Sequence, residues 1–171
     1  MKNKNHIKIL FICKERSNAY NGTDIEPYGY GPSYGLINSC KFIINALKPH
    51  HIHSKVVSVH DNNCIDKEVH KFKPSHVFIE ALWVTPSKME ELLIKYPKIN
   101  WFIRIHSKVP FLAHEGIAIE WLRAYDNIKI KGQKVHLSSN NIESIDAFAR
   151  CFGIKIKYYP NIYCPPEYNF N

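Results

Sequence analysis

Apolar and polar positions follow two alternating rhythms along the chain. Ile7–Cys13 is a short, nearly unbroken apolar run, which predicts a strand buried on both faces. Ser54–Val59, His76–Val84, Ile99–Ser107, Val135–Ser139 and Ile154–Tyr159 repeat that signal. Between these runs the apolar positions spread to a spacing of about 3.6, the period of a helix with one buried face. Ser33–Leu47 reads this way, with Leu36, Ile37, Cys40, Ile43, Ile44 and Leu47 on one side. A second helix starts at Thr85-Pro86, a capping hydroxyl before proline at the first helical position, and buries Met89, Leu92, Leu93 and Tyr96. A third, Glu115–Tyr125, turns Ile117, Trp121, Leu122 and Tyr125 to the core. The last runs from Asn140 to Phe152, with Asn140 and Glu143 spaced as a capping box and Gly153 as the left-handed stop.

Strands alternating with helices imply parallel pairing through right-handed crossovers. The fold expected is α/β: a three-layer Rossmann-like domain with a mainly parallel sheet of about six strands. Residues 1–162 read as one domain, and residues 163–171, with two prolines and no periodicity, as a tail or the start of a linker.

Length and composition fit that expectation. The chain has 171 residues, 45% hydrophobic and 22% charged, which excludes a disordered chain, a collagen and a disulfide mini-protein. Lys and Arg number 23 against 15 Asp and Glu, a net charge of +8 with the histidines neutral. The lysines are scattered in ones and twos, so most read as a solvated surface, and the balance suits phosphorylated or nucleotide ligands better than nucleic acid. The five cysteines form an odd set without a C-x-x-C pair, which predicts reduced, mostly packed thiols in a cytoplasmic protein. No apolar run reaches the length of a membrane span, and no secretory cleavage pattern is present.

In an open parallel sheet, ligands bind beyond the carboxyl ends of the strands. The loop after the first strand, Lys14–Pro32, is long and carries Tyr20, Tyr28 and Tyr30; Tyr34 lies just inside the following helix. Gly29, Gly31 and Gly35 surround the helix start, where Ser33 also sits. Such a loop lets backbone N–H groups approach a phosphate or sugar oxygen, and it equally suits a turn that needs glycine for its backbone angles. His106 and Ser107 end the fourth strand, where imidazole can accept a proton or bond a hydroxyl or phosphate, and equally can be satisfied by nearby backbone. Arg104 points to the same side of that strand and reads as one half of a partly buried ion pair. Glu80 sits inside an apolar run, so it either partners a basic residue or reaches the cleft to bind hydroxyls. Trp83 is a core or a stacking residue, and Ser138 belongs to a capping segment with ligand contact as a second role. No G-x-S-x-G elbow, H-E-x-x-H helix or paired-cysteine zinc site is present, and His50, His51 and His53 read as a surface turn.

Taken in order, the segments KILFICK, YGPSYG, LINSCKFIINAL, KPSHVFIEALW, WFIRIHS, VHLSSN and FGIKIKYYPNIY resemble the N-terminal, acceptor-side domain of GT-B glycosyltransferases, especially the family-4-like group. The likeness runs from Ile7 to Tyr163. It implies a domain that binds an acceptor glycan or other hydroxyl compound and faces a nucleotide sugar. Gly31 and Gly35 would approach the donor phosphates, and His106 would contact the transferred sugar. Ser138, Pro160 and Asn161 match structural signatures of the group. The loop departs from the usual Gly-Gly-x-Gly, reading Gly-Pro-Ser-Tyr-Gly. The likeness covers the first half of such an enzyme, so activity is expected to need a second domain, in this or another chain. No cofactor or metal is implied beyond the nucleotide-sugar substrate. The candidate residues are therefore His106 as catalytic, and Gly31, Ser33, Tyr34, Gly35, Glu80, Trp83, Ser107 and Ser138 as binding residues. The alternative is a non-enzymatic Rossmann-like module that binds a nucleotide, a sugar or a protein.

Overall fold

A computed structural model describes residues 7–17, 30–31, 33–130 and 132–163. The first strand, β1 (Lys8–Lys14), is followed by a two-residue antiparallel ribbon of β2 (Arg16–Ser17) and β3 (Tyr30–Gly31). Then come α1 (Tyr34–Leu47), β4 (His53–Val59), α2 (Ile65–Phe72), β5 (His76–Glu80), α3 (Pro86–Lys95) and β6 (Asn100–Ile105). The chain continues through α4 (Val109–His114), α5 (Ile117–Asn127), β7 (Lys129–Ile130), β8 (Gln133–Ser139), α6 (Ile142–Phe152) and β9 (Lys157–Tyr158). The Tyr-rich loop (Tyr20, Tyr28, Gly29, Pro32) and the segment from Cys164 onward lie outside the described residues.

The main sheet has seven strands in the order β4-β1-β5-β6-β8, with β7 and β9 both joined to β8. All pairs are parallel except β7–β8. This is the expected Rossmann-like α/β fold, with one strand added by the short β7–β8 hairpin. The two faces follow from the two-residue side-chain period of a strand. Ile9, Phe11 and Cys13 of β1 meet Leu36, Ile37, Cys40, Ile43 and Ile44 of α1, together with Val56 and Phe78. Leu10, Ile12, Val77, Ile79, Trp101, Ile103, Val135 and Leu137 face the other way, onto α2, α3, α5 and α6. Each fully buried aliphatic side chain there contributes about 1.5–3 kcal/mol.

Several elements differ from the sequence expectation. α2 has mostly charged and polar residues, yet Ile65 and Val69 anchor it, and Asp61 caps the turn before it through Asn63 and Cys64. The expected Glu115–Tyr125 helix is α5, which starts at Ile117, and a separate short helix, α4, precedes it. Gly116 adopts φ 59°, ψ −68°, and Ile117 donates its N–H to the Glu115 carbonyl at 2.5 Å, a γ-turn that breaks the axis. In consequence Ile117 is exposed and Trp121 only half-buried, while Leu122 and Tyr125 reach the core as predicted. The cap of α6 is Asn141, whose Oδ1 accepts from Ser144 N at 3.2 Å, so the Asn140 side chain is free for another contact. Gly153 closes that helix at φ 69°, as expected. Strands β5 and β6 stop short of the predicted ends, at Glu80 and Ile105, which leaves Trp83, His106 and Ser107 on the connections beyond the sheet. Of the cysteines described, Cys13 and Cys40 are buried, Cys64 is half-buried, Cys151 is exposed, and all are free thiols.

Candidate functional site at the switch point

The chain leaves β1 toward β4 on one side and returns past β1 to β5 on the other. Strand order therefore reverses between β1 and β5, and the crevice beyond their carboxyl ends is where an open α/β sheet binds ligands. A cleft of about 250 Å³ lies there. Lys14 and Glu15 come from the end of β1, Ser33 and Leu36 from the start of α1, Glu80–Trp83 from beyond β5, and His106 and Ser107 from beyond β6. Five predicted site residues thus share one cleft: Ser33, Glu80, Trp83, His106 and Ser107.

Its floor is a buried polar network. Glu80 and Arg104 are opposite one another in the β5–β6 register, and both side chains are sequestered from solvent. Arg104 Nη1 lies 3.5 Å from Glu80 Oε1 and 3.4 Å from Oε2. Its other arm donates to Ser39 Oγ at 3.5 Å, to the Pro160 carbonyl at 3.4 Å and to Asn161 Oδ1. Both partners are charged and buried, so each needs the other to offset its lost hydration. Of the two readings for Glu80, the pairing with a basic residue is the one found: it pairs with Arg104, and it also lines the cleft.

The link to the cleft is His106. Its Nε2 stands 2.6 Å from Glu80 Oε2, and its Nδ1 3.3 Å from the side-chain nitrogen of Asn140. Glu80 can only accept when ionised, so Nε2 carries the proton and Nδ1 is the acceptor. A carboxylate that fixes one imidazole nitrogen as donor leaves the other ready to accept from a hydroxyl. Asn140 occupies that position here, and its backbone is held nearby by a bond from its N–H to the Ile105 carbonyl, 3.3 Å long.

The rim is set by local backbone devices. Ala81 has φ 72°, a left-handed conformation that costs a residue with Cβ about 1–2 kcal/mol. Its N–H donates to the Arg104 carbonyl at 2.9 Å, and Trp83 Nε1 donates to the Glu80 carbonyl at the same distance, so the turn after β5 is held from both ends. Ser33 Oγ donates to the Lys14 carbonyl at 2.8 Å and joins the start of α1 to the end of β1. Ser33 makes no side-chain cap to α1, so the first N–H groups of that helix are left uncapped by it.

The sequence matches no protein-family model and no curated protein. The site therefore stands on its own geometry.

The remaining candidates lie elsewhere. Ser138 is fully buried and donates to the Ile103 carbonyl at 3.2 Å, a sheet-internal role. Tyr34 is exposed, and neither it nor Gly35 lines the cleft; a Cβ on Gly35 would meet nothing. Gly31 pairs with Arg16 in the small ribbon. Residue-by-residue reasoning missed Asn140 as a histidine partner, because it read that residue as the helix cap. It also missed Asn161 as an arginine acceptor, since β5–β6 pairing and the path of the C-terminal segment leave no local signal. Among the described residues no group of three or more His, Cys, Asp or Glu side chains could hold a metal ion, and no helix is long and apolar enough to cross a membrane.

Proposed function

We propose that the cleft is the acceptor-side half of a nucleotide-sugar-dependent glycosyl transfer site, completed by a second domain or chain. The observation that carries this reading is His106, which follows β6 at the switch-point cleft with Nε2 on buried Glu80. A sugar hydroxyl that displaces Asn140 would donate to Nδ1, and Glu80 would keep the ring oriented while it does so. The start of α1, which the Ser33 side chain does not cap, would face the diphosphate, where helix N–H groups favour negative charge. In the transfer, the bond from the anomeric carbon to the diphosphate oxygen breaks with its electrons leaving on the diphosphate, and the acceptor oxygen forms the new bond. The acceptor hydroxyl gives up its proton to the released diphosphate, which balances the step. Positioning and electrostatic support of the leaving group supply most of the rate in such a site. The resemblance in motif order supports the same reading.

Saturation-transfer NMR of the full chain with nucleotide sugars and simple glycosides tests it. Saturable binding of one or both, lost in His106→Ala, is the expected result; no binding of either overturns it. The engagement of both His106 nitrogens within the chain favours a second reading, a binding module without turnover. Ligand binding with no transfer or donor hydrolysis, in any pairing with a candidate second subunit, would select that reading.

A further inference from the structure

A second polar recess, of about 480 Å³, lies at the β7–β8–β9 edge and shares no lining residue with the cleft. The sheet register explains its charge. Lys129 of β7 stands directly opposite Lys134 of β8. Lys157 of β9 stands opposite Ser138, four residues beyond Lys134 and therefore on the same side of the strand. His136 lies between them on that side and stacks on Phe102 at 4.8 Å. Lys155 lines the recess too, and Asp126 is the carboxylate among its lining residues.

The recess opens at the edge between the two faces: Val135, Leu137 and Ile156 belong to the core on the α5 and α6 side, and His136 to the face that α1 covers farther along. None of the four lysines is in an ion pair with a described carboxylate. Like charges placed directly across two strands repel. Burial, then Lys157 and Lys134, and then His76 push the His136 imidazole below its ordinary value, which marks the same positive field.

We infer that this recess binds an oligophosphate group, a free one or the phosphates of a nucleotide. Four ammonium groups around a concave site of this size match a compact, multiply charged anion. A single-stranded nucleic acid fits less well, because base stacking needs open aromatic faces and Phe102 is 8% exposed beneath His136.

The test is isothermal titration of the full chain with tripolyphosphate, pyrophosphate and a nucleoside diphosphate, with sulfate as the plain anion at matched ionic strength. Saturable tripolyphosphate binding, weakened about tenfold or more in the double variant Lys134→Gln/Lys157→Gln, is expected. The double variant Lys67→Gln/Lys98→Gln removes the same charge from exposed positions elsewhere and should leave binding intact. Nucleoside diphosphate binding equal to pyrophosphate assigns the phosphates as the recognised part, and tighter binding assigns a nucleotide; both support the recess. No saturable binding, sulfate binding as tightly as tripolyphosphate, equal loss in the Lys67/Lys98 control, or tighter binding of a single-stranded RNA overturns it.

Discussion

Replacing Arg104 by Met isolates the energetics beneath the cleft. The substitution keeps most of the side-chain volume and removes the charge that faces Glu80, whose carboxylate has no exposed surface. Breaking a buried pair by deleting one partner costs about 3–5 kcal/mol, because the other charge is left without water or counter-charge. Losing the donors to Asn161, Pro160 and Ser39 adds to that, although Pro160 and Asn161 can recover water at the surface. A domain of ordinary stability, about 5–15 kcal/mol, would survive the change in weakened form. Glu80→Leu alone should also destabilise, leaving the guanidinium buried. The double variant Glu80→Leu/Arg104→Met strands neither charge, so it should be more stable than Arg104→Met alone. The double-mutant cycle should then return an interaction of about 2–3 kcal/mol. Urea unfolding followed by circular dichroism measures all four proteins. An interaction below about 0.5 kcal/mol would refute the reasoning, since it would mean the two charges are hydrated or separated in solution.

Other outcomes follow from single features. Ala81→Gly should raise stability by up to about 1 kcal/mol, the strain relieved less the extra chain entropy of glycine, whereas Ala81→Val should lower it; thermal unfolding distinguishes these. Asn141→Ala should cost about 1 kcal/mol through the lost α6 cap, while Asn140→Ala should cost less and instead change the ¹⁵N shift of His106 Nδ1. Burial lowers the affinity of His76 and His136 for protons, so the folded state binds fewer than the unfolded chain. Their contribution is complete above the ordinary value of 6.5 and is lost as pH falls through it toward the folded values. Denaturation midpoints at pH 7.5 and 5.5 should differ less in His76→Gln/His136→Gln than in the parent, and an unchanged difference would count against the assignment. Lys134→Gln should stabilise the chain by about 0.2–1 kcal/mol at low salt by relieving its opposition to Lys129.

The parts of the fold legible in sequence are those where a side chain's environment repeats with the backbone. β1, β5, β6 and β8 declared themselves because both their faces are covered or half covered, and α1 and α3 because each buries one stripe. Where the deciding fact is a backbone angle or a pairing between distant strands, local pattern fails. The apolar run His76–Val84 looks continuous, yet Ala81 turns left-handed and ends the strand at Glu80. Gly116 separates α5 from α4, a six-residue helix too short to show a period of its own. α2 was missed because only Ile65 and Val69 of its eight residues are buried.

The site shows the same division and adds a reason for it. The position of His106 at a strand end was readable, since the carboxyl edge of a parallel sheet concentrates ligand contacts. Its partners were not, because each comes from another element. Glu80 arrives through the β5–β6 register, and Asn140 through a one-residue shift of the α6 cap to Asn141. That shift ties local structure to chemistry: had Asn140 capped the helix, its amide would be spent on a backbone N–H and His106 Nδ1 would face the cleft unpartnered. With Asn141 as the cap, Asn140 is left to contact His106 Nδ1, so the ring is held at one nitrogen by the buried ion pair below it and at the other by the residue next to the cap.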